Sequence, residues 1–298
     1  MMSKTLKATL AAIICNIIFG LSFMFAKVAL EYAHPLIILS VRFTVAFAVM
    51  NLMWLFKTVK LDLRGKPKKY ILLMALAQPF LYFIFEMYGI DLTSSALSGV
   101  IISLVPVFVL IMSSVFLKEK PTFMQVIFSL VSLLAVVGIS LGSNDGNKNH
   151  LLGIVLLLAA VLAGSAFDIL SRKESGAYSP FERTYIMFLC GMVGFNITAL
   201  CGLGKDYFPL LKDAVVHPQF WGSMVYLSII SSIVAFMLLN YAIGVLGTVK
   251  NASFANLITV VSVLAGIFIL KEKLSLIQLI LCVVIIIGVI GVNKQEKK

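Results

Sequence analysis

The residues of this chain that could do chemistry lie inside long apolar runs rather than in polar loops. Gln78, Tyr82 and Glu86 follow one another at intervals of four, so a helix would present all three on one face. Their amide, phenol and carboxyl groups could bind a polar solute. The alternative is that they form hydrogen bonds only with neighbouring helices.

Arg42 is a second polar group of this kind. At about 1.5 Å per residue it lies roughly 10 Å from the start of its apolar run, and Glu86 lies near the same end of its own run. We predict a buried ion pair between these two residues. The alternatives are that Arg42 binds a substrate carboxylate or that Glu86 carries a coupling proton.

Asp168 and Lys250 have similar depths near the opposite end of their runs. They could form an ion pair that gates access to an interior site, or each side chain could extend to water. The first apolar run has a further candidate face, on which packing is the commoner role of a phenylalanine and binding is the alternative. That face consists of Asn16, Gly20, Phe23 and Lys27.

Small and polar residues recur at helical spacing in two other runs, at Ser95, Gly99 and Ser103 and at Asn256 and Thr259. Such a stripe can line a wet cavity, and it can equally let two helices pack closely. Asn256 is the strongest candidate ligand among them, because an amide in the middle of a membrane needs hydrogen-bond partners.

The elements that must position these residues are membrane helices. The chain has 298 residues, of which 61% are apolar and 12% are charged, and its mean hydropathy is +1.06. Soluble domains are about a quarter charged, whereas apolar runs of about 20 residues cross a bilayer as helices. We therefore predict an all-α integral membrane protein whose immediate partner is the lipid bilayer. Its ten transmembrane helices are predicted at about 8–29, 36–56, 70–88, 94–116, 122–141, 151–170, 184–203, 219–241, 251–269 and 274–293.

The distribution of basic residues predicts the orientation of these helices. With both termini in the cytoplasm, the cytoplasmic segments would hold 17 Lys and Arg residues and the opposite segments six, which agrees with the positive-inside rule. The net charge of +11 thus lies in short gaps between apolar runs. This distribution argues for membrane orientation and against a nucleic-acid partner.

Several functional classes receive no support from the sequence. The four cysteines fall inside apolar runs without metal-type clustering, so we predict no metal site and no disulfide framework. No phosphate-binding glycine loop and no Ser/His/Asp set occurs in the aqueous gaps. We therefore expect neither an enzyme nor a bound cofactor, and no direct use of ATP.

The chain also carries an internal repeat. The tetrapeptide Leu-Lys-Glu-Lys stands at 117–120 and again at 270–273, and the same shift of 153 positions places Tyr88 on Tyr241 and Ile90 on Ile243. We therefore predict two homologous halves, residues 8–141 and 151–293, with five helices each. Because five is odd, the second half would be inverted in the membrane, an arrangement that alternating-access transporters use.

The order of several short motifs resembles the drug/metabolite transporter superfamily, in particular its ten-helix branch with two EamA-type repeats. Phe19-Gly20 leads to Lys27 in the first run, and the fourth predicted helix of each half ends in a phenylalanine, Phe116 or Phe268, followed closely by Leu-Lys-Glu-Lys. The usual Trp before the first glycine of that family is Phe19 here. The resemblance implies export or exchange of small metabolites, often amino acids, through a central cavity between the repeats.

The leading hypothesis is therefore a secondary transporter in the plasma membrane for a small-molecule substrate, with possible proton coupling. A membrane-embedded enzyme would need ionisable groups that converge at one interface, whereas Arg42 and Glu86 lie toward one side and Asp168 toward the other. A membrane scaffold without transport activity is the third possibility, and in that case the polar stripes would serve packing alone.

Overall fold

A computed structural model gives the fold, and it describes residues 3–116, 122–142, 148–248, 251, 253–272 and 275–294. Within these ranges the chain is helical and contains no strand. Seven of the described helical stretches are long and apolar enough to cross a membrane. The α-helices are, in chain order, α1 (Lys4–Leu30), α2 (Pro35–Leu55), α3 (Lys69–Ala75), α4 (Tyr82–Asp91), α5 (Ser95–Ile102), α6 (Val105–Phe116), α7 (Phe123–Gly142), α8 (Lys148–Glu174), α9 (Pro180–Leu203), α10 (Tyr207–Val215), α11 (Pro218–Val225), α12 (Ala235–Leu246), α13 (Asn256–Phe268) and α14 (Leu276–Lys294).

Two of the long helices contain a π-helical segment at equivalent places. The segment Leu76–Leu81 joins α3 to α4, and the segment Tyr226–Val234 joins α11 to α12. The shift of 153 positions places the first segment on residues 229–234, inside the second. At Gln78 the backbone leaves the helical region and becomes extended (φ −147°, ψ 121°). Segments of this type widen a helix and occur often at functional sites.

A second matched pair of breaks lies between α5 and α6 and before α13. The chain turns at Ser103 and Leu104, and α13 follows the 3₁₀ turn Ser253–Ala255. The same shift places Ser103 on Asn256, so the two interruptions are related by the repeat. Backbone that is not helical is tolerated at membrane depth only where protein buries it or where it lines a cavity.

The contacts between helices follow the repeat as well. Helix α1 packs against α12, and the corresponding pair α8 and α4 also packs together. Two helix pairs consist of one helix from each half and map onto themselves when the halves are exchanged. These pairs are α2 with α9 and α7 with α14. Both kinds of pairing are what a two-fold relation between the halves produces.

The bundle has two ends, which we call the terminal and the distal end. At the terminal end α1 begins at Lys4, and at the distal end α1 ends at Leu30. Helix α2 begins at the distal end with Pro35 in its first turn, and α9 begins at the terminal end with Pro180 in the same position. Proline is favoured there because its missing N–H would have no helical partner.

A basic side chain caps a helix at each end. At the distal end the Lys27 ammonium donates to the carbonyl oxygens of Ile90, Asp91 and Thr93 at 3.0, 3.3 and 2.8 Å. These carbonyls belong to the last turn of α4 and to the link that follows it. A cation is stabilised there by the negative end of the helix dipole.

Arg172 makes the corresponding contact at the terminal end. Its Nη1 donates to the carbonyl oxygens of Ile243 and Gly244 at 3.4 and 2.6 Å, near the end of α12. Ile243 is the repeat partner of Ile90. The two halves therefore end equivalent helices in the same way, at opposite ends of the bundle.

Glycine lets α5 and α13 approach each other closely. A methyl group at Gly99 would overlap the Cβ and Oγ atoms of Ser262. We expect Gly99→Ala to lower the free energy of unfolding by about 1–3 kcal/mol, because overpacking forces neighbouring atoms apart. Thermal unfolding of the purified protein in detergent would measure the loss.

Gly222 provides the matched control. It lies in α11, and a methyl group there would meet no atom within 4 Å. Gly222→Ala is expected to leave the protein equally stable or to stabilise it slightly, because alanine is the better helix former. Equal losses in both variants would show that the contact at Gly99 is not tight.

Candidate substrate cavity

Two small cavities adjoin in the middle of the bundle, with volumes of about 70 and 40 Å³. Ile102 at the end of α5 and Ile258 in the first turn of α13 line both of them. The walls are therefore built in part from the two interrupted helices. We call the larger one the amide cavity, after Asn16 and Asn251 in its wall, and the smaller one the arginine cavity, after Arg42.

The arginine cavity contains a buried guanidinium group. The Nε atom of Arg42 donates to Ser232 Oγ at 3.0 Å, and its Nη2 atom donates to Ser231 Oγ at 3.3 Å. The guanidinium carbon lies 4.3 Å from the centre of the Phe83 ring. These partners are neutral, so they hold the charge in place without cancelling it. A buried cation of this kind is a receptor for a carboxylate.

Glu86 faces the same cavity. Its Oε1 atom accepts a hydrogen bond from the Tyr82 hydroxyl at 2.8 Å. Among the described side chains, no nitrogen of Arg42 lies within 4.0 Å of a Glu86 oxygen. The two residues predicted to form an ion pair are thus neighbours across a cavity in this conformation. Gln78, the third member of the predicted face, lines both cavities despite the π-helical segment around it.

The amide cavity is lined by hydrogen-bond acceptors. Asn16 donates through Nδ2 to the Ala12 carbonyl oxygen at 2.7 Å, and its Oδ1 has no donor among the described residues. The buried Asn251 Oδ1 also lacks a partner in the described part of the chain. Asp168 is 6% exposed, and none of the described residues donates a hydrogen bond to its carboxylate. Lys250, its predicted partner, lies outside the described residues.

The candidate face of α1 divides between binding and packing. Phe23 lines the arginine cavity, whereas a methyl group at Gly20 would lie 2.6 Å from Val261 Cβ, so Gly20 allows α1 to pack on α13. Lys27 lies beyond the cavities and caps α4. Of the four predicted residues, Asn16 and Phe23 belong to the cavity walls.

The stripe of small residues in α5 lies in the contact with α13 and not in the cavity walls. Ser95 and Ser103 are fully buried, and Ser103 Oγ donates to the Val100 carbonyl oxygen. Thr259 in α13 is fully buried too, and its hydroxyl oxygen has no partner among the described residues. Asn256 begins α13, but its side chain lies outside the description.

The cavities also contain residues that sequence reasoning passed over. Ser231 supports Arg42, Asn251 contributes a buried amide, and Phe19 lines both cavities while its ring lies 5.2 Å from that of Phe236. One signal pointed to Ser231, because the shift of 153 positions places it on Gln78. Asn251 carried no such signal, since its repeat partner is Ser98.

A buried arginine at the terminal end was counted from the sequence only as a loop charge. Arg183 Nη1 donates to the carbonyl oxygen and to Oγ of Ser171, at 2.8 and 2.6 Å, and Nη2 donates to the Asn240 carbonyl oxygen. Asn240 in turn donates to Thr184 Oγ1 at 3.0 Å. This network joins α8, α9 and α12.

Comparison with known proteins places the chain in a family. The EamA-like transporter family matches residues 6–141 and 151–294, which is nearly the whole chain in two segments. The chain belongs to the EamA-like transporter family. The resemblance noted from the sequence motifs is thereby confirmed, as is the all-helical, ten-helix membrane fold.

Relatives of this EamA-like transporter are themselves named as transporters. An uncharacterized transporter, YcxC, from Bacillus subtilis (strain 168) is 37% identical over 98% of this chain and 94% of its own length. An uncharacterized transporter from Archaeoglobus fulgidus is 28% identical over 86% of this chain and 88% of its own. A solved crystal structure with 20% identity has a TM-score of 0.64 and covers 98% of this chain and 99% of that chain, which supports the fold alone.

These findings make the protein a multi-pass membrane transporter. Within the described residues, no group of three or more His, Cys, Asp or Glu side chains could hold a metal ion. The polar groups of the two cavities are therefore the described features that offer binding chemistry in the middle of this EamA-like transporter.

Proposed function

We propose that the protein is a secondary carrier that exports or exchanges small metabolites such as amino acids or related compounds. The observation that carries this proposal is the pair of adjoining cavities, which hold the Arg42 guanidinium and the Glu86 carboxyl toward the distal end and the Asp168 carboxyl toward the terminal end. Secondary transporters bind their substrates in the middle of the membrane, between related halves. The cavities occupy the corresponding place here.

The lining of the cavities suits a solute with two opposite charges. Arg42 can bind a carboxylate, and Asp168 with the Asn16 and Asn251 amide oxygens can accept hydrogen bonds from an ammonium group. Between these polar ends, Phe19 lines both cavities and offers an apolar surface. An amino acid carries both charged groups, and an apolar side chain on it can contact Phe19.

The size of the cavities supports a mechanism of alternating access. Ligand pockets enclose roughly 300–1,000 Å³, whereas these cavities enclose about 70 and 40 Å³. This conformation is therefore contracted around the binding groups, and a solute enters after helices have moved apart. The interrupted helices α5 and α13 line both cavities, as do Phe19 and Tyr82, and we expect movement of α5 and α13 to enlarge the cavities because the backbone next to each of them is interrupted.

The arrangement in the cell is part of the same proposal. We place the protein in the plasma membrane with both termini in the cytoplasm, so that the distal end faces outward, and we take residues 8–141 and 151–293 as the two repeats. Labelling of single cysteines at Lys60 and Lys212 in intact cells tests the orientation. Reaction at position 60 rather than 212 with an impermeant reagent would contradict it.

Counterflow in proteoliposomes tests the transport function. Vesicles loaded with an unlabelled amino acid should accumulate the same labelled compound above the level of empty vesicles, and a panel should separate zwitterions from their deaminated and decarboxylated analogues. We expect the zwitterions to be carried best. No flux of any zwitterion, acid or amine above protein-free vesicles would contradict the proposal.

A further inference from the structure

Glu272, in the second Leu-Lys-Glu-Lys motif, binds the first turn of a helix in the other half of the protein. Its Oε1 atom accepts a hydrogen bond from the Ser95 amide at 2.8 Å, and Oε2 accepts one from the Ala96 amide at 3.0 Å. Both amides belong to the first turn of α5. A carboxylate at this position also interacts favourably with the positive end of the helix dipole.

The two bonds complete the hydrogen bonding at the start of α5. A helix leaves its first N–H groups without helical partners, and buried ones need partners from elsewhere. The Leu97 amide is bound by Ser94 Oγ at 3.2 Å, and the Ser98 amide by the Ser94 carbonyl oxygen. Loss of Glu272 would therefore leave two backbone donors in this turn without a protein acceptor.

The backbone after α13 is shaped to bring Glu272 to this place. Lys271 adopts a left-handed conformation (φ 55°), and the amide of Glu272 then donates to the Gly266 carbonyl oxygen at 2.9 Å. A methyl group at Gly266 would lie 2.5 Å from Glu272 Oε2 and 3.0 Å from Ala96 Cβ. Only glycine at this position lets the carboxylate lie between α13 and α5.

Lys27 secures the other side of the same turn. Its ammonium binds the carbonyl oxygens at the end of α4 and in the link to α5, as described above. The segment between α4 and α5 is thus held by a cation from α1 at its carbonyl end and by Glu272 at its amide end. Each charge matches the dipole of the helix end that it contacts.

We infer that Glu272 is a gating residue that keeps the distal end of the substrate cavity closed. Between the cavity-lining residues Ile102 and Ile258 and the distal end, α5 and α13 are in close contact, where Gly99 meets Ser262 and Gly266 meets Ala96. Glu272 joins these two helices at the distal edge of that contact. The breaks near Ser103 and Ser253 lie at the opposite ends of α5 and α13. When Glu272 is released, the two helices can therefore separate at the distal end by pivoting about these breaks.

The inference rests on the proposed carrier function, and it makes Glu272 a positioning residue rather than a ligand of the solute. The shift of 153 positions pairs Glu272 with Glu119 and Ala96 with Val249. Glu119 and Val249 lie outside the described residues. The gate is accordingly assigned to the distal end alone.

Accessibility labelling from each face of the membrane tests the gate. Ser22 lines the arginine cavity, and Ser22→Cys in a background without the four native cysteines gives a reporter for a membrane-impermeant thiol reagent. In Glu272→Gln and Glu272→Ala, the rate of labelling from the distal face should rise roughly tenfold. Hydrogen bonds to a charged acceptor stabilise the closed form, and a loss of about 1.4 kcal/mol raises the open population about tenfold. Labelling from the terminal face should not rise.

Glu31→Gln serves as the control, because it removes the same charge from an exposed residue at the same end. It should leave both labelling rates unchanged. An unchanged rate in both Glu272 variants would reject the gate, and so would an equal rise from both faces, which indicates general loosening of the bundle. If the alanine variant fails to fold, the labelling rates of the glutamine variant alone test the gate, because glutamine keeps the shape of the side chain.

The labelling needs no solute, so its failure can be told from a failure of the proposed function. Flux in the wild-type protein together with unchanged labelling in Glu272→Gln would reject the gate and leave the carrier function intact. Face-specific labelling without flux of any zwitterion would keep Glu272 as the distal closure and reject the substrate assignment.

Discussion

Replacing Arg42 with glutamine should lower counterflow of a transported zwitterion by about 100-fold. Truncating one partner of a buried, hydrogen-bonded charge pair costs roughly 2–5 kcal/mol, and each 1.4 kcal/mol is about a factor of ten. Arg42 supplies the guanidinium of the arginine cavity, and Ser231 and Ser232 hold it in one orientation. The loss should appear in the half-saturating concentration as well as in the maximal rate.

Arg42→Lys should recover little of this activity. A lysine ammonium keeps the charge but cannot reproduce the planar, two-point contact of a guanidinium with a carboxylate. Arg64→Gln is the matched control, because Arg64 is exposed in the loop between α2 and α3, and it should transport at the wild-type rate. Wild-type kinetics in Arg42→Gln would exclude Arg42 from substrate binding.

Asp168→Asn should abolish accumulation driven by a pH gradient, while counterflow continues at a reduced rate because the Asn16 and Asn251 amide oxygens still accept hydrogen bonds from the ammonium group. A coupling site must take up and release a proton, and Asp168 faces the amide cavity with no hydrogen-bond donor among the described residues. Glu86 already accepts a hydrogen bond from Tyr82. An asparagine keeps the shape of the side chain but cannot carry the proton, so the accumulation ratio should fall to one.

Glu86→Gln is the matched variant for this experiment. It removes the other cavity carboxylate, and we expect it to retain accumulation driven by the pH gradient. The reverse outcome, with accumulation lost in Glu86→Gln and kept in Asp168→Asn, would assign the proton to Glu86. If accumulation survives in both single variants, neither carboxylate alone couples transport to protons.

The sequence predicted the helical fold closely, because the membrane restricts what a chain can do. Apolar runs must form helices, so hydropathy placed the predicted span 8–29 inside α1 (Lys4–Leu30) and the predicted span 36–56 on α2 (Pro35–Leu55). The repeat could be detected from the sequence because charged residues seldom interrupt the apolar runs. The two copies of Leu-Lys-Glu-Lys are therefore easy to align.

Partner choice inside the bundle was harder to predict. Glu86 and Arg42 lie at a similar depth in the sequence pattern, which suggested an ion pair. In the structure Arg42 donates its hydrogen bonds to Ser231 and Ser232 instead. The π-helical segment at Leu76–Leu81 changes the register before Tyr82, and no residue type announces it. Glu272 looked like a loop charge, because its contact with α5 joins residues that are distant in sequence.

The two π-helical segments also bear on how the protein arose. Such a segment amounts to one extra residue in a turn, and Leu76–Leu81 falls within Tyr226–Val234 under a single ungapped shift. Under the two-repeat arrangement proposed above, one insertion in a half-length precursor accounts for both segments, whereas separate insertions would have to occur twice at matching sites. Two such precursor chains in opposite orientations would together contain both widened turns.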